Sequence, residues 1–265
     1  MTTAVRSTLH APPYLPHVKA PSTSRELAAC GNYRALLAST DEERSAIYRL
    51  RFRVFNLELN EGLEASFTTG EDRDEFDAVC DHIYVHDQRT GEIVGTYRVQ
   101  AGVTAARNLG YYSQREFVLT PFEPLRNQVL ELGRACIDRD HRSFEVLNIL
   151  WKGLAMFAQD INARYLLGCS SLTSQDPAEG WSVYEQLKSF QSDPELRTVA
   201  TPEFSMPPAQ PLGRAKVPKL LRAYLSVGAH ICGTPGLDRE FKTIDFLTLL
   251  DFERFSPAAR ARFLR

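Results

Sequence analysis

The sequence predicts an α/β protein with one mixed sheet and helices on both faces. Three observations predict it. Strand-like segments alternate with amphipathic stretches in the order β-α-β-β-α-β-α-β-α, then a loop, a helix and a last strand. Two of the strands, 82–87 and 92–100, are joined by "QRTG" and read as a hairpin, so part of the sheet is antiparallel. The strands are interleaved with one another along the chain, which favours one domain, residues 31–265, behind a flexible leader over residues 1–30.

Each element has a local reason. "YRALLAS" (33–39) reads as a first strand. "TDEERSAIYRLRFRVFNLEL" (40–59) reads as a helix: Thr40 and Glu43 make a capping box, and Ile47, Leu50, Val54 and Leu57 keep helical spacing. Residues 60–78 form a loop dense in acids, among them Glu61, Glu64, Glu71, Asp72, Asp74, Glu75 and Asp77. The hairpin follows, then a mixed segment with a short helix at 110–119. Residues 130–142 open as a buried strand. "EVLNILWKGLAMFAQDINA" (145–163) is the clearest helix, with Leu147, Leu150, Trp151, Leu154, Phe157, Ala158 and Ile161 on one face. A buried strand (164–172) and a helix (178–190) come next. Residues 191–217 are proline-rich and lack periodicity, so they read as a long loop. A basic amphipathic helix (218–229) and a strand (245–255) end the series.

Composition excludes several classes. A net charge of −2 gives no global attraction to nucleic acid. The five cysteines are scattered without a CxxC pair, so neither a zinc ribbon nor a disulfide framework is indicated, and reduced thiols in the cytoplasm are expected. No stretch approaches the roughly 20 apolar residues that span a bilayer. The first 25 residues carry Arg6, Lys19, Arg25 and four prolines but no apolar block of the secretory kind. The acids between 58 and 81 lack calcium-loop spacing, and no metal site is expected.

The strand "LELGRACIDRDHR" (130–142) carries the chemistry. Leu130, Leu132, Ala135, Cys136 and Ile137 suit a core, whereas Glu131 and Arg134 must be paired or used there. Gly133 marks a bulge, which leaves a backbone N–H free to point at a ligand. An N–H aimed at a carbonyl stabilises an oxyanion, and a nearby carboxylate takes a proton from an amine. Those are the needs of acyl transfer to nitrogen. A structural Glu–Arg pair closing the strand is the competing reading.

Four short motifs fall in order on the predicted elements: Arg51 and Phe55 in "RFRVF", Asp74 and Asp77 in "DEFD", Gly95 and Arg98 in "GTYR", and Glu131 and Arg134 in "ELGR". In this order they resemble the GNAT acyltransferase fold, and within it the acyl-homoserine-lactone synthases. The span from about residue 33 onward is still more similar to the ornithine N-acyltransferases, also described as hemolysin-like, through "LELGRACIDRDHR", "LWKGLA", "RYLLGCSSL" and "DREFKTIDFLTLL". Long-chain N-acyl amino acid synthases share that core. The resemblance implies a GNAT-like mixed sheet with a bulged central strand. It implies transfer of a long acyl chain from an acyl carrier protein thioester to the α-amine of an amino acid, ornithine foremost, with no cofactor beyond that co-substrate or acyl-CoA in its place. Two departures matter. The turn "DRDHRSFE" lacks the glycines that hold a coenzyme A pyrophosphate at a helix N-terminus. "NLEL" follows Phe55 where the lactone synthases carry a Trp.

Roles follow as expectations. Glu131, Gly133 and Arg134 are the catalytic candidates, Glu131 accepting the amine proton or else pairing with Arg134 or Arg98. Arg51, Phe55, Asp74, Asp77 and Arg98 are the substrate-binding candidates; an Arg fork binds carboxylates bidentately, and the competing reading is an internal ion-pair network. An acidic carrier protein calls for a basic patch, for which Arg139, His141 and Arg142 and then Lys216, Lys219 and Arg222 are candidates. The latter three and Arg260, Arg262 and Arg265 suit an anionic membrane surface at the inner face equally well. "HIYVHD" fits the H-x-x-x-x-D of glycerolipid acyltransferases, but His82 and Asp87 fall on one strand, so chance explains it. Cys136 and Cys169 read as core thiols rather than acyl carriers. A lactone or acyl-tyrosine synthase, and a non-catalytic acyl or carrier-protein binding module, are the rival functions.

Overall fold

The computed structural model describes residues 24–255 and 257–264. β1 (Arg25–Cys30) and β2 (Tyr33–Leu37) make an outer hairpin, and Gly31, at φ +53°, supplies the positive φ that its two-residue loop requires. The leader expected over residues 1–30 is therefore corrected at its end: Arg25–Cys30 is an edge strand, while residues 1–23 lie outside the described residues. Leu27 alone of that strand is buried, too sparse a pattern to read as alternation.

α1 (Asp41–Phe52) begins at the expected capping box, with Glu43 N donating to Thr40 Oγ1 at 3.2 Å and Thr40 N to Glu43 Oε2 at 3.0 Å. It widens into a π-helical stretch, Arg53–Leu59, that ends at Asn60 with φ +56°. α2 (Ser66–Thr69) is a single turn. β3 (Asp81–Asp87) and β4 (Glu92–Ala101) are the expected hairpin. α3 (Gly102–Arg107) and a 3-10 turn, Tyr112–Arg115, lead to β5 (Val129–Ile137). α4 (Phe144–Asp160), capped by Ser143, crosses back over β1 to β3 so that β6 (Tyr165–Leu172) runs parallel to β5. α5 (Pro177–Gln186), α6 (Lys219–Ser226), β7 (His230–Ile231), β8 (Gly236–Asp238), β9 (Thr243–Asp251) and α7 (Pro257–Phe263) follow. The last strand ends four residues early because Phe252–Arg254 turns into a 3-10 helix. The loop at 191–217 is docked rather than free: Ser192 N donates to Ile231 O at 2.9 Å and Thr198 N to Cys232 O at 2.8 Å.

The strand order is β1-β2-β3-β4-β5-β6-β9-β7, with β8 also on β9. β5 pairs with β6 at only three positions, Val129↔Tyr165, Leu130↔Leu166 and Glu131↔Leu167. Beyond them the strands part, while β4 stays on β5 and β9 stays on β6. The sheet is thus two half-sheets joined at a short seam and open toward the carboxyl ends of β5 and β6. Gly168 sits at the point of parting, where a Cβ would lie 2.3 Å from Leu132 O; a larger residue there would force the seam apart. The main core lies between the sheet and α4, where Val146, Ile149, Leu150, Leu154 and Phe157 meet Ile83, Val99 and Leu130.

Candidate active site

The bulge expected at Gly133 is present one residue on. Arg98 faces Gly133 and Thr96 faces Cys136, so Arg134 and Ala135 together oppose Tyr97. Arg134 carries the unusual backbone, φ +48°, which costs a non-glycine residue energy and marks a constrained position. Gly133 has a negative φ and open space beyond its Cα: an added Cβ would meet only Arg98 Nε, at 3.9 Å. Because β6 has already departed, the edge of β5 past Glu131 has no strand ladder and faces the gap.

Glu131 is 4% exposed and makes no ion pair among the described residues. Its oxygens accept from Tyr112 N at 2.8 Å and Ser113 N at 2.7 Å, the first N–H groups of the 3-10 turn. The Gln100 amide, oriented to satisfy its neighbours, donates to Gly110 O and Glu131 Oε2, both at 3.2 Å. Burial outweighs these bonds and raises the Glu131 carboxyl above its ordinary value.

Beside it lies a closed ring of charges. Arg51 pairs with Asp72 (2.6 Å) and Asp77 (2.7 Å), Asp77 with Arg98 (3.3 Å), Arg98 with Asp74 (2.5 Å), Asp74 with Arg134 (2.9 Å) and Arg134 with Asp72 (3.4 Å). Three guanidinium groups and three carboxylates alternate, so the ring is neutral and its members compensate one another's desolvation. Asp77 is held far below the usual carboxylate range: burial opposes its charge, but Arg51 and Arg98 overcome it.

A cavity of about 290 Å³ occupies the gap. Arg98, Gln100 and Glu131 line it, and so do Tyr97, Val99 and Leu132. Successive residues of a strand point to opposite faces, so the cavity passes through the sheet between the half-sheets. On the α4 face it is apolar, walled by Trp151, Leu154, Leu221, Tyr224, Phe255 and Phe263. Trp151 stacks on Tyr224 at 5.4 Å, and the Tyr224 and Tyr97 hydroxyls are hydrogen-bonded. On the other face it is polar, walled by Ser113, Glu116, Glu131, Cys169, Asp238 and Asp245. Glu116, Asp238 and Asp245 place oxygens within 4.8 Å of one another, the one group among the described residues able to hold a cation by three such ligands.

Of the expected site residues, the structure brings Glu131, Gly133, Arg134, Arg98 and Phe55 to this cavity; the π-helical stretch carries Phe55 there. It keeps Arg51, Asp74 and Asp77 off it, in the ring, where Arg51 is fully buried. Arg98 serves both, since its Nη1 pairs within the ring and its buried Nη2 has no partner. In the expected carrier patch, Arg142 is bound by Glu58 (2.6 and 2.7 Å), so its charge is locally spent; His141 lies 3.7 Å from Asp87 and Asp138, and neither they nor Arg139 line the cavity. Lys216, Lys219 and Arg222 are exposed around α6, whose Leu220, Leu221 and Tyr224 wall the apolar end. Arg260 caps Phe252 O (3.0 Å) and Arg262 binds Asn148 Oδ1 (2.7 Å); Arg265 lies outside the described residues. His82 and Asp87 stay at opposite ends of β3, and the Cys169 thiol is held protonated by burial and by Glu116 and Asp245 beside it. Two acids of the loop, Glu61 and Asp72, are buried, and sequence reading singled out neither them nor Glu116, Asp238 or Asp245.

Two half-sheets parted beside a central bulge, with a cavity between them, define an acyltransferase of the GNAT fold, and the chain matches the family model "Acetyltransferase (GNAT) domain" over residues 50–152. More narrowly, the chain belongs to the L-ornithine N(alpha)-acyltransferase family. It is 30% identical to the member from Brucella abortus (strain 2308) over 262 residues, 87% of this chain and 88% of that one. It is 30% identical to the member from Rhodobacter capsulatus over 253 residues, 90% and 97% of the two chains. The crystal structure of the AHL synthase LasI shares the fold at 12% identity and a TM-score of 0.51, covering 86% of this chain and 93% of that one. The chain is therefore an N-acyltransferase. No helix among the described residues is long and apolar enough to cross a membrane.

Proposed function

We propose that this chain transfers a long acyl chain from an acyl carrier protein thioester to the α-amine of ornithine. The observation that carries the reading is the passage through the sheet: one face offers an apolar sleeve for the chain, the other a polar chamber for the acceptor, and Glu131 and the free edge of β5 stand between them. The thioester carbonyl lies against the unladdered N–H groups around Gly133, which take up the developing negative charge. The acceptor carboxylate meets Arg98 Nη2, with Arg134 behind it. The neutral amine attacks the carbonyl carbon, the C–N bond forms and the C–S bond breaks. Glu131 receives the amine proton directly or through water and passes it on to the pantetheine sulfur, which leaves as the thiol. No acyl-enzyme forms, in keeping with the protonated Cys169. The exposed Lys216, Lys219 and Arg222 near the apolar end suit an acidic carrier.

The test supplies ornithine with a long-chain acyl carrier protein and, separately, with the acyl-CoA, and identifies product by mass spectrometry. Glu131→Gln should lower kcat by roughly 10²–10⁴-fold with the fold intact by circular dichroism. Unchanged turnover removes Glu131 as the base, and product from the CoA donor alone removes the carrier.

A further inference from the structure

The polar chamber holds a cluster that acyl transfer itself does not use. Glu116, Asp238 and Asp245 come from three separate places, the residue after the 3-10 turn, β8 and β9, and converge to within 4.8 Å. Glu116 and Asp245 are each 3% exposed, and Glu116 Oε2 and Asp245 Oδ1 have no hydrogen-bond partner. The remaining oxygens are only partly served: Thr243 Oγ1 donates to Asp245 Oδ2 at 3.0 Å, and Glu240 N and Phe241 N donate to Asp238 Oδ1 at 2.8 and 2.9 Å. Among the described residues no arginine, lysine or histidine pairs with any of the three, whereas the neighbouring ring matches three acids with three arginines. Buried carboxylates with unpaired oxygens facing a cavity are costly unless a cation completes them.

Their position relative to Glu131 is set by one short element. Tyr112 N and Ser113 N hold the Glu131 carboxylate at the start of the 3-10 turn, and Glu116 follows its last residue. One 3-10 turn rises about 6 Å. The Cys169 thiol bridges the interval, 3.7 Å from Ser113 Oγ and facing Glu116.

We propose that Glu116, Asp238 and Asp245 bind the distal ammonium of the acceptor and so select a diamino acid whose two amines stand about one 3-10 turn apart. This rests on the reading of the acceptor as an amino acid whose α-amine reacts at Glu131. A primary ammonium supplies three N–H donors and a positive charge to three carboxylates.

The experiment separates the two claims by measuring binding and turnover independently. Titration calorimetry on the full chain with ornithine, and with norvaline, which has the same carbon chain without the distal amine, should show at least tenfold tighter binding of ornithine. Glu116→Gln and Asp245→Asn should each erase that preference. Both remove mutual repulsion, so their melting temperatures should hold or rise, which distinguishes a lost site from a lost fold. Equal binding of the two amino acids by the wild type, or variants that keep the preference, overturns the ammonium site. So does a preference that appears only after Mg²⁺ or Ca²⁺ is added and vanishes with EDTA, since the cluster would then be a metal centre. Ornithine-selective binding without any acylated product upholds the ammonium site and removes the acyl-transfer reading instead.

Discussion

At the scale of the residue, the site depends on carboxylates held in different states by their surroundings. Asp77 lies among arginines and stays ionised; Asp245 lies among acids, and burial with Asp238 beside it pushes its carboxyl up from 3.8 to about 6. A folded value above the unfolded one means that the folded state binds the proton more tightly. The contribution of Asp245 to stability is then present below pH 3.8 and lost as pH rises through 6. His82 runs the other way, because burial lowers its ring to about 4, so it favours the folded state less as pH falls below 6.5. The two slopes overlap, and only a difference isolates Asp245. Asp245→Asn and the wild type should melt together near pH 4, and the variant should melt higher by on the order of 5 °C at pH 7.5. A constant offset between the two across that range would contradict the assignment. Glu131 was legible in the sequence because a carboxylate in an otherwise apolar strand has to be used or paired. Asp245 stands in the same way in "TIDFLTLL", a signal that would have found it. Glu116 and Asp238 carry no such mark, since one follows a single 3-10 turn and the other ends the three-residue strand β8, and neither stretch has a pattern of its own.

At the scale of the element, the Arg–Asp ring matches the competing reading of the motifs, an internal ion-pair network. The spacing of Arg51, Asp74, Asp77 and Arg98 identified side chains that meet in space, and they pair with one another. Asp72, which completes the ring, looked like another loop acid because nothing local distinguishes it from Glu71 or Glu75. The ring fastens the 60–78 loop and α1 to β4 and β5, and it holds Arg134 in its strained conformation. Removing one member strands a buried charge, so Asp77→Asn should cost about 3–5 kcal/mol in urea unfolding. A loss below about 1 kcal/mol would show that the ring is not a structural unit. The elements themselves were mostly legible from capping, periodicity and the hairpin turn. The exceptions were β1, α2, α3, β7, β8 and α7, short pieces with too few residues to show a pattern of their own.

At the scale of the whole molecule, the exposed cations of α6 and the cavity behind them belong to one proposal about the donor. Reversing Lys216, Lys219 and Arg222 to Glu should raise KM for the acyl carrier protein at least tenfold at low salt, and the effect should shrink as salt is added. A small neutral acyl thioester should be used equally well by both proteins. An equal loss with both donors would mean that the change had damaged α6 and the sleeve wall.

The parting of β5 from β6 has a consequence for the end of the cycle. On the function proposed above, the product would lie across the parted strands like a pin through a hinge, anchored by grease on one side and by charge on the other. To leave, it must draw its tail out of the apolar sleeve and pull its head from the polar chamber, by way of the open end of the gap between β5 and β6. Exit, and not bond making, should then set the pace, and rapid mixing should reveal one fast turnover per enzyme molecule before a slower steady rate.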